Sequence, residues 1–455
     1  MNSKLIQENT LVWKVPKLRF DNLVIVPECD LLDQDASTLS DIDIRFDEMH
    51  KALDAAKSQL DKINVKAWPR ISNVINVYKT FRKILTRDYN LSVTTNATLK
   101  MYEMLVYFKL IDFTKPIRTF SNAELPGAFI VAINHYVNTM YPESSSPSSP
   151  SSDSSTPSTS EEHEVSSPGE HDVSASEEHR EVSFEWMGSS FYPESTSSST
   201  SVLEDKYGIY NKNRGNWMMG PKPNAMIEEK TTTGDLTKTE TITALFNNVL
   251  AKWNGATLYT ADAGLDVSDD YNSQEQATSL LNYGQCITGV MSLAAGGNFV
   301  TKQYTFFSQF NRSLIAVLAS MFETFYVVKP VTSKPANSEI YLVGKGFIKQ
   351  PEDVLAGLMA RHAFYKGNYE APALMSPLIP MIDFHEVDEM LLRVTKQLFV
   401  DQQCKFINEI VLISQIPGNI DLQNTYELVQ MKWMMQNPMK MLPKNKEITS
   451  EQMAN

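Results

Sequence analysis

The chain has 455 residues, 42% of them apolar and 21% charged, with a formal net charge of −13 at pH 7, which excludes a fibrous or wholly disordered protein and suggests two or three structural units. Its three cysteines (Cys29, Cys286 and Cys404) lie far apart and form no CxxC, which argues against a disulfide framework or a zinc site and fits a reducing compartment. No apolar run reaches membrane-spanning length, and no basic region followed by an apolar stretch opens the chain, so neither a membrane anchor nor a signal peptide is expected.

Residues 40–115 read mainly as helix. Ile44, Phe46, Met49, Leu53, Ala56 and Leu60 recur at helical spacing. Pro69 interrupts the pattern, and Val74, Val77, Phe81 and Leu85 resume it. Lys79, Arg82, Lys83 and Arg87 lie between them, a basic face that is either solvated or in contact with phosphates. Lys100, Tyr102, Met104, Leu105 and Phe108 are again helical in spacing. Ser121 to Ile130, SNAELPGAFI, reads as a strand-to-helix turn. Gly127 there would let the backbone approach a ligand closely, and the helix N-terminus behind it favours polar or anionic groups. The turn is not the GxGxxG of dinucleotide binders.

Residues 143–182 are almost all Ser, Pro, Glu, Asp and His. Such a segment cannot bury enough apolar surface to offset its chain entropy, so disorder is expected. It carries a net −9, which leaves −4 for the rest of the chain. The overall acidity therefore does not exclude an RNA groove. His163, His171 and His179 fall at every eighth position, as a metal tract could or as solvated low-complexity sequence would. The segment should interrupt one folded domain, since long surface insertions cost little loop-closure entropy.

Beyond it, strands and helices alternate. Strands are expected at Phe184–Ser189, Thr257–Ala261, Asn298–Tyr304, Phe325–Lys329 and Ile340–Gly344. Helices are expected at Gln274–Ala294, stopped by Gly296-Gly297, and at Arg312–Phe322. Alternation of this kind predicts an α/β fold with a largely parallel sheet. The link between the last two strands is too short for a helical crossover, so they should pair antiparallel. Residues from about 350 onward are helical in tendency, with Met431-Lys432-Trp433-Met434-Met435 as adaptable packing and the last dozen residues as a frayed tail.

Charged residues cluster at these strand ends, the edge where open α/β sheets bind ligands. Asp262 follows one strand, Lys302 closes the next, and Glu339 precedes the last.

The motifs resemble those of the FtsJ-like ribose 2′-O-methyltransferases of the Adrift type, a likeness shared with FtsJ-like enzymes of asfarviruses and related large DNA viruses. The matching residues are 124–130 (ELPGAFI) with Asn134-His135-Tyr136, Gly234-Asp235-Leu236-Thr237, Thr260-Ala261-Asp262, Gly296 to Lys302, and Lys329 to Val343. The resemblance implies a Rossmann-like methyltransferase sheet, mostly parallel with a C-terminal antiparallel hairpin. It implies a helical N-terminal region (1–92), a methyltransferase domain (93–347) holding the insert, and a helical C-terminal region (348–455). It also implies S-adenosyl-L-methionine as cofactor, capped mRNA as substrate and no metal. If the chain is viral, host cytoplasm or the virion is the expected location.

The family uses a Lys-Asp-Lys-Glu tetrad, which the resemblance carries to Lys100, Asp262, Lys302 and Glu339, with Lys66 as a distant alternative to Lys100. A lysine acts as a base only when partly neutral, and a neighbouring cation lowers its pKa. Lys302 would be the base and Lys100 that cation, with Asp262 and Glu339 orienting both. Gly127 and Pro126 would lie against the methionine moiety, Asp235 near the adenine, and Phe184 or Trp186 against the adenosine unless they are core. Ser121 and Met187-Gly188-Ser189-Ser190 stand where many methyltransferases have acids. Lys329, Lys334, Arg312, Lys212 and Arg214 could hold RNA phosphates, and Tyr207, Tyr210 and Trp217 could stack on bases or be core. Two other readings stay open: a catalytically idle RNA-binding or virion scaffold with the same fold, and a methyltransferase of uncapped RNA.

Overall fold

The computed structural model describes residues 7, 9–18, 23–26, 40–140, 183–191, 205–219, 233–264, 273–365, 376–416 and 422–450. Most of the low-complexity stretch with its three histidines, together with Cys29 and residues 451–455, lies outside the described residues.

Seven strands among the described residues form one sheet. They are β1 (Leu11–Lys14), β2 (Ile117–Asn122), β3 (Phe184–Gly188), β4 (Ala256–Ala261), β5 (Leu293–Gln303), β6 (Phe322–Lys329) and β7 (Ile340–Phe347), in the order β1-β6-β7-β5-β4-β2-β3. The β3-β2-β4-β5 half is parallel, and the β5-β7-β6-β1 half is antiparallel. The expected hairpin of the last two strands is present, with β7 seated between β5 and β6.

The sheet interior is apolar on both faces, as a helix-covered parallel sheet requires. Phe120, Tyr259 and Phe299 stand in register on β2, β4 and β5, and Phe322 continues the row. Neighbouring ring centroids are 5.5–5.7 Å apart. The helix Gln274–Ser292 lies on this row through Gly289, where a Cβ would stand 2.5 Å from Phe299 and 2.6 Å from Tyr259. No other residue permits so close an approach. The expected stop at Gly296-Gly297 is corrected: the helix ends at Ser292 and β5 begins at Leu293. The glycines sit inside β5, beside a register shift against β4, where Gly296 takes a φ of +78°. A glycine in that conformation serves a bulge as readily as a helix stop.

The low-complexity stretch falls between the helix Ala128–Met140 and β3. Since β2 and β3 are parallel neighbours, it lies within one crossover of the sheet. The N-terminal region is not wholly helical, because β1 covers the outer edge of β6. Pro69 opens the helix Trp68–Ile75 at a first-turn position instead of ending one.

The helices before and after the sheet meet through Arg312. Its guanidinium is buried, pairs with Asp43 of the helix Asp41–Lys57, and lies 2.9 Å from Asp388 of the helix His385–Thr395. It also stacks 4.2 Å from the Phe46 ring centroid. Arg312 is therefore a structural cation and does not face phosphates. Trp433 is likewise buried, edge-on to Phe81 at 5.5 Å, while Met431 and Met435 are exposed.

The tail is not frayed over its described residues. Leu442 and Tyr89 share a backbone hydrogen bond, Asn134 donates to the Lys446 carbonyl at 2.9 Å, and Ser450 N–H donates to Tyr207 at 3.1 Å. Lys212 donates to the carbonyls of Glu447 and Thr449 at 2.9 and 2.8 Å, so its ammonium serves this strap. Few apolar residues mark the segment; backbone groups hold it, which a hydrophobic pattern cannot reveal. Among the described residues no helix is long and apolar enough to cross a membrane.

Candidate active site

Strand register brings the charged residues together. Ala261 of β4 is opposite Thr301 of β5, so Asp262 and Lys302 come next to one another. Lys302 faces Tyr341 across the antiparallel β5–β7 pair. Glu339 stands two residues before Tyr341, on the same face by strand alternation. The helix Asn96–Phe108, capped by the Thr95 side chain, delivers Lys100 from above.

The contacts form a chain. Lys100 Nζ pairs with Glu339 Oε1. The Tyr341 hydroxyl donates to Asp262 Oδ1 at 3.0 Å and lies 3.3 Å from Glu339 Oε1. Lys302 Nζ is 3.3 Å from Asp262 Oδ1 and donates to the Asp262 carbonyl at 3.0 Å. The structure thus brings Lys100, Asp262, Lys302 and Glu339 into one contiguous cluster. Lys66 is exposed and forms no part of it.

The electrostatics differ from the expectation for Lys302. Burial opposes its charge, but Asp262, Tyr304 and Glu339 outweigh burial and hold the amine above the usual lysine range. Burial also opposes the Glu339 charge, yet Lys100 and Lys302 bring that carboxyl down to about 2. Lysine 329 is the amine that is lowered. Burial takes it to about 7 against the pull of Glu339, with Lys100 adding to the lowering. Its Nζ donates to the carbonyls of Asn337 and Glu339, which fixes the loop that presents Glu339 and removes Lys329 from the phosphate candidates. Lys334 remains exposed.

Lys302 and Asp262 line a cavity of about 480 Å³. Pro126, Ser190, Phe191 and Asp235 line other parts of it. Phe184 and Trp186 do not. Phe184 is opposite Ile117 at the far end of β2, and Trp186 packs edge-on to Trp217 at 6.0 Å. Strand β3 runs on past the two aromatics, and it is Phe191 beyond its end, with Phe129 of the helix that follows β2, that lines the cavity. Trp217 is buried and is core. Ser121 is buried in β2 and accepts from Thr260 at 2.9 Å. Asp235 Oδ1 accepts from the backbone and hydroxyl of Thr237 at 3.1 and 2.7 Å, ordering its own turn.

Sequence reasoning passed over Glu124, which lines the cavity and is buried. Its Oε1 accepts the N–H groups of Phe129 and Ile130 at 2.7 and 2.9 Å, capping the helix Ala128–Met140. Its Oε2 has no hydrogen-bond partner among the described residues. Tyr341 was also passed over, although its i+2 spacing from Glu339 was a readable sign.

Gly127 does not itself line the cavity but links the wall residues Pro126 and Ala128, with a φ of +102°, and a Cβ there would stand 2.2 Å from Ile209 Cδ1. Gly127→Ala should cost about 1–3 kcal/mol through that strained conformation. A thermal melt and a cofactor titration check it. Unchanged melting and binding would contradict the wall's assigned role.

A parallel half-sheet with a cavity at its strand ends, edged by a Lys/Asp/Lys/Glu cluster, defines a Rossmann-like methyltransferase. Residues 212–347 match the family model described as FtsJ-like methyltransferase. The chain is 31% identical over 434 residues to "Probable methyltransferase EP424R" of African swine fever virus, covering 92% of this chain and 89% of that protein. It is 24% identical over 310 residues to "Cap-specific mRNA (nucleoside-2'-O-)-methyltransferase 2" of Drosophila melanogaster, covering 67% of this chain and 37% of that one. The mouse protein of the same name is 24% identical over 303 residues, covering 65% and 33%. The chain belongs to the FtsJ-like methyltransferase family, whose members use S-adenosylmethionine.

Proposed function

We propose that this protein methylates a ribose 2′-hydroxyl of capped mRNA, with S-adenosylmethionine as methyl donor and Lys302 as the base. The observation that carries the reading is the continuous contact from Lys100 through Glu339, Tyr341 and Asp262 to Lys302 in the cavity wall. An array of two amines and two carboxylates needs a reason to be largely buried, and proton transfer supplies one. Residues 93–347 are the proposed catalytic unit, with 143–182 as an insert and extensions on either side.

The cavity fits the cofactor. Its volume is in the range of small-molecule sites, and a buried carboxylate oxygen in its wall has no partner among the described residues. Pro126, Glu124, Phe191 and Asp235 are the residues proposed to hold it. The cofactor supplies a methyl group already activated on a sulfonium, whose positive charge also favours a neutral amine beside it. Lys302 takes the hydroxyl proton, Asp262 orients its Nζ, and Glu339 pairs with Lys100. Tyr341 fixes the two carboxylates relative to one another. Removing water and aligning the hydroxyl accounts for the remaining acceleration.

Capped mRNA as the substrate is supported by the names of the animal relatives. The test compares transfer of labelled methyl to capped and uncapped RNA of one sequence. Label confined to the capped RNA is the expected result. Equal labelling would make uncapped RNA the substrate, and no labelling by a folded protein that binds the cofactor would favour an idle scaffold.

A further inference from the structure

We propose that Glu124 Oε2 anchors the α-ammonium group of the amino-acid part of the methyl donor. The proposal rests on the reading above, in which the cavity holds an S-adenosyl cofactor.

Glu124 is 4% exposed and rigidly held. Its backbone N–H donates to Ser189 at 3.1 Å, its carbonyl accepts from Gly127 at 2.6 Å, and its Oε1 caps a helix. Everything but Oε2 is satisfied, and a buried carboxylate oxygen without a donor is costly. Oε2 belongs to a side chain of the cavity wall, so a ligand there can supply what the described residues do not.

The ligand group must be a cation that carries N–H. Besides Glu124 the cavity wall holds two acids, Asp235 and Asp262, against the single amine of Lys302, which is already paired with Asp262. A cationic ligand meets that imbalance. An S-adenosyl cofactor has two positive centres, a sulfonium and an ammonium. The sulfonium has no hydrogen to donate; the ammonium has three. Position agrees: Glu124 follows β2 by two residues and Asp262 follows its neighbour β4 by one, so both stand at the carboxyl edge of the parallel strands, near enough for Asp262 to act on the Glu124 carboxyl.

Protonation gives the proposal a direct signature. Burial raises the Glu124 carboxyl to about 8; the N–H groups of Ile130 and Phe129 oppose that rise, and Asp262 adds to it. Near pH 7 the free carboxyl is therefore mostly protonated. An arriving ammonium requires the carboxylate, so binding must release that proton.

The experiment is calorimetric titration of the full chain near pH 7, in buffers of differing ionisation enthalpy. The ligands are S-adenosylhomocysteine, which has the ammonium but no sulfonium, and 5′-methylthioadenosine, which has neither. Wild type should release most of one proton on binding S-adenosylhomocysteine and none on binding 5′-methylthioadenosine. Glu124→Gln keeps an amide oxygen for the helix cap. It should abolish the release and weaken S-adenosylhomocysteine by roughly 10- to 100-fold, the range of a charge-assisted hydrogen bond, with 5′-methylthioadenosine unchanged.

Equal weakening of both ligands would make Glu124 merely structural and overturn the proposal. So would S-adenosylhomocysteine binding to wild type without proton release, a result readable even if the variant fails to fold. Wild type that binds neither ligand would instead sink the cofactor reading beneath the proposal.

Discussion

Lys302→Ala should fold, bind S-adenosylhomocysteine within a few-fold of wild type, and transfer methyl groups roughly 10²–10⁴ times more slowly, the usual contribution of a positioned general base. Single-turnover transfer to capped RNA measures the rate, and calorimetry measures the binding. In wild type the carboxylates around Lys302 hold its amine in the charged form. The neutral fraction below such a pKa grows tenfold per pH unit, so the rate of the chemical step should climb from about pH 6.5 to about pH 9. A flat profile across that range, or a Lys302→Ala variant with near-normal rate, would end the assignment of Lys302 as base. Lys302→Arg should be as slow as the alanine variant, because guanidinium keeps the charge and cannot take up a proton.

The second large effect concerns stability. Arg312→Met removes the partner of two carboxylates in the interior, Asp43 and Asp388. Leaving buried charges unpaired costs about 3–5 kcal/mol, so denaturant melts should shift strongly. The pH dependence follows from Asp388. Burial lifts its carboxyl to about 6, against the pull of Arg312. Its ordinary value is about 3.9. Between the two values the folded carboxyl keeps a proton that the unfolded one has lost, so Asp388 subtracts stability as pH rises from about 4 to about 6. Without Arg312 the folded value rises further. The variant's deficit should therefore be largest at neutral pH and shrink toward pH 5. Replacing Asp43 and Asp388 by leucine in the same variant should recover much of the loss. A deficit independent of pH, with no recovery, would show that Arg312 matters through packing on Phe46 alone.

The fold was legible wherever periodicity was strong. The central strands alternate with helices over enough residues to fix a parallel sheet, and the short Pro/Ser/Asn link fixed the hairpin. Strand β1 escaped because four residues leave no period to recognise. The cluster of Lys100, Asp262, Lys302 and Glu339 was legible through family motifs, and strand register then explains why these residues meet. Its charge state was not: a lysine's pKa depends on which neighbours desolvate it and which oppose them, and here Asp262, Tyr304 and Glu339 outweigh burial. Arg312 and Lys329 failed as phosphate candidates for a related reason. Sequence marks Arg312 and Lys329 as basic, but their partners come from segments tens or hundreds of residues away or from backbone carbonyls. Phe184 and Trp186 were misplaced because both lie before the carboxyl end of β3, whereas the cavity is lined by Ser190 and Phe191 beyond it.

Strand β1 also bears on how the protein behaves in company. Leu11 to Lys14 occupy the outer row of amides and carbonyls on β6, pairing Leu11 with Lys329 through to Lys14 with Tyr326. Without those residues β6 would present an open, apolar ribbon edge, the form that recruits another chain's backbone. Four residues of modest burial thus shield the edge of β6, and trimming them should favour edge-to-edge pairing between copies of the chain.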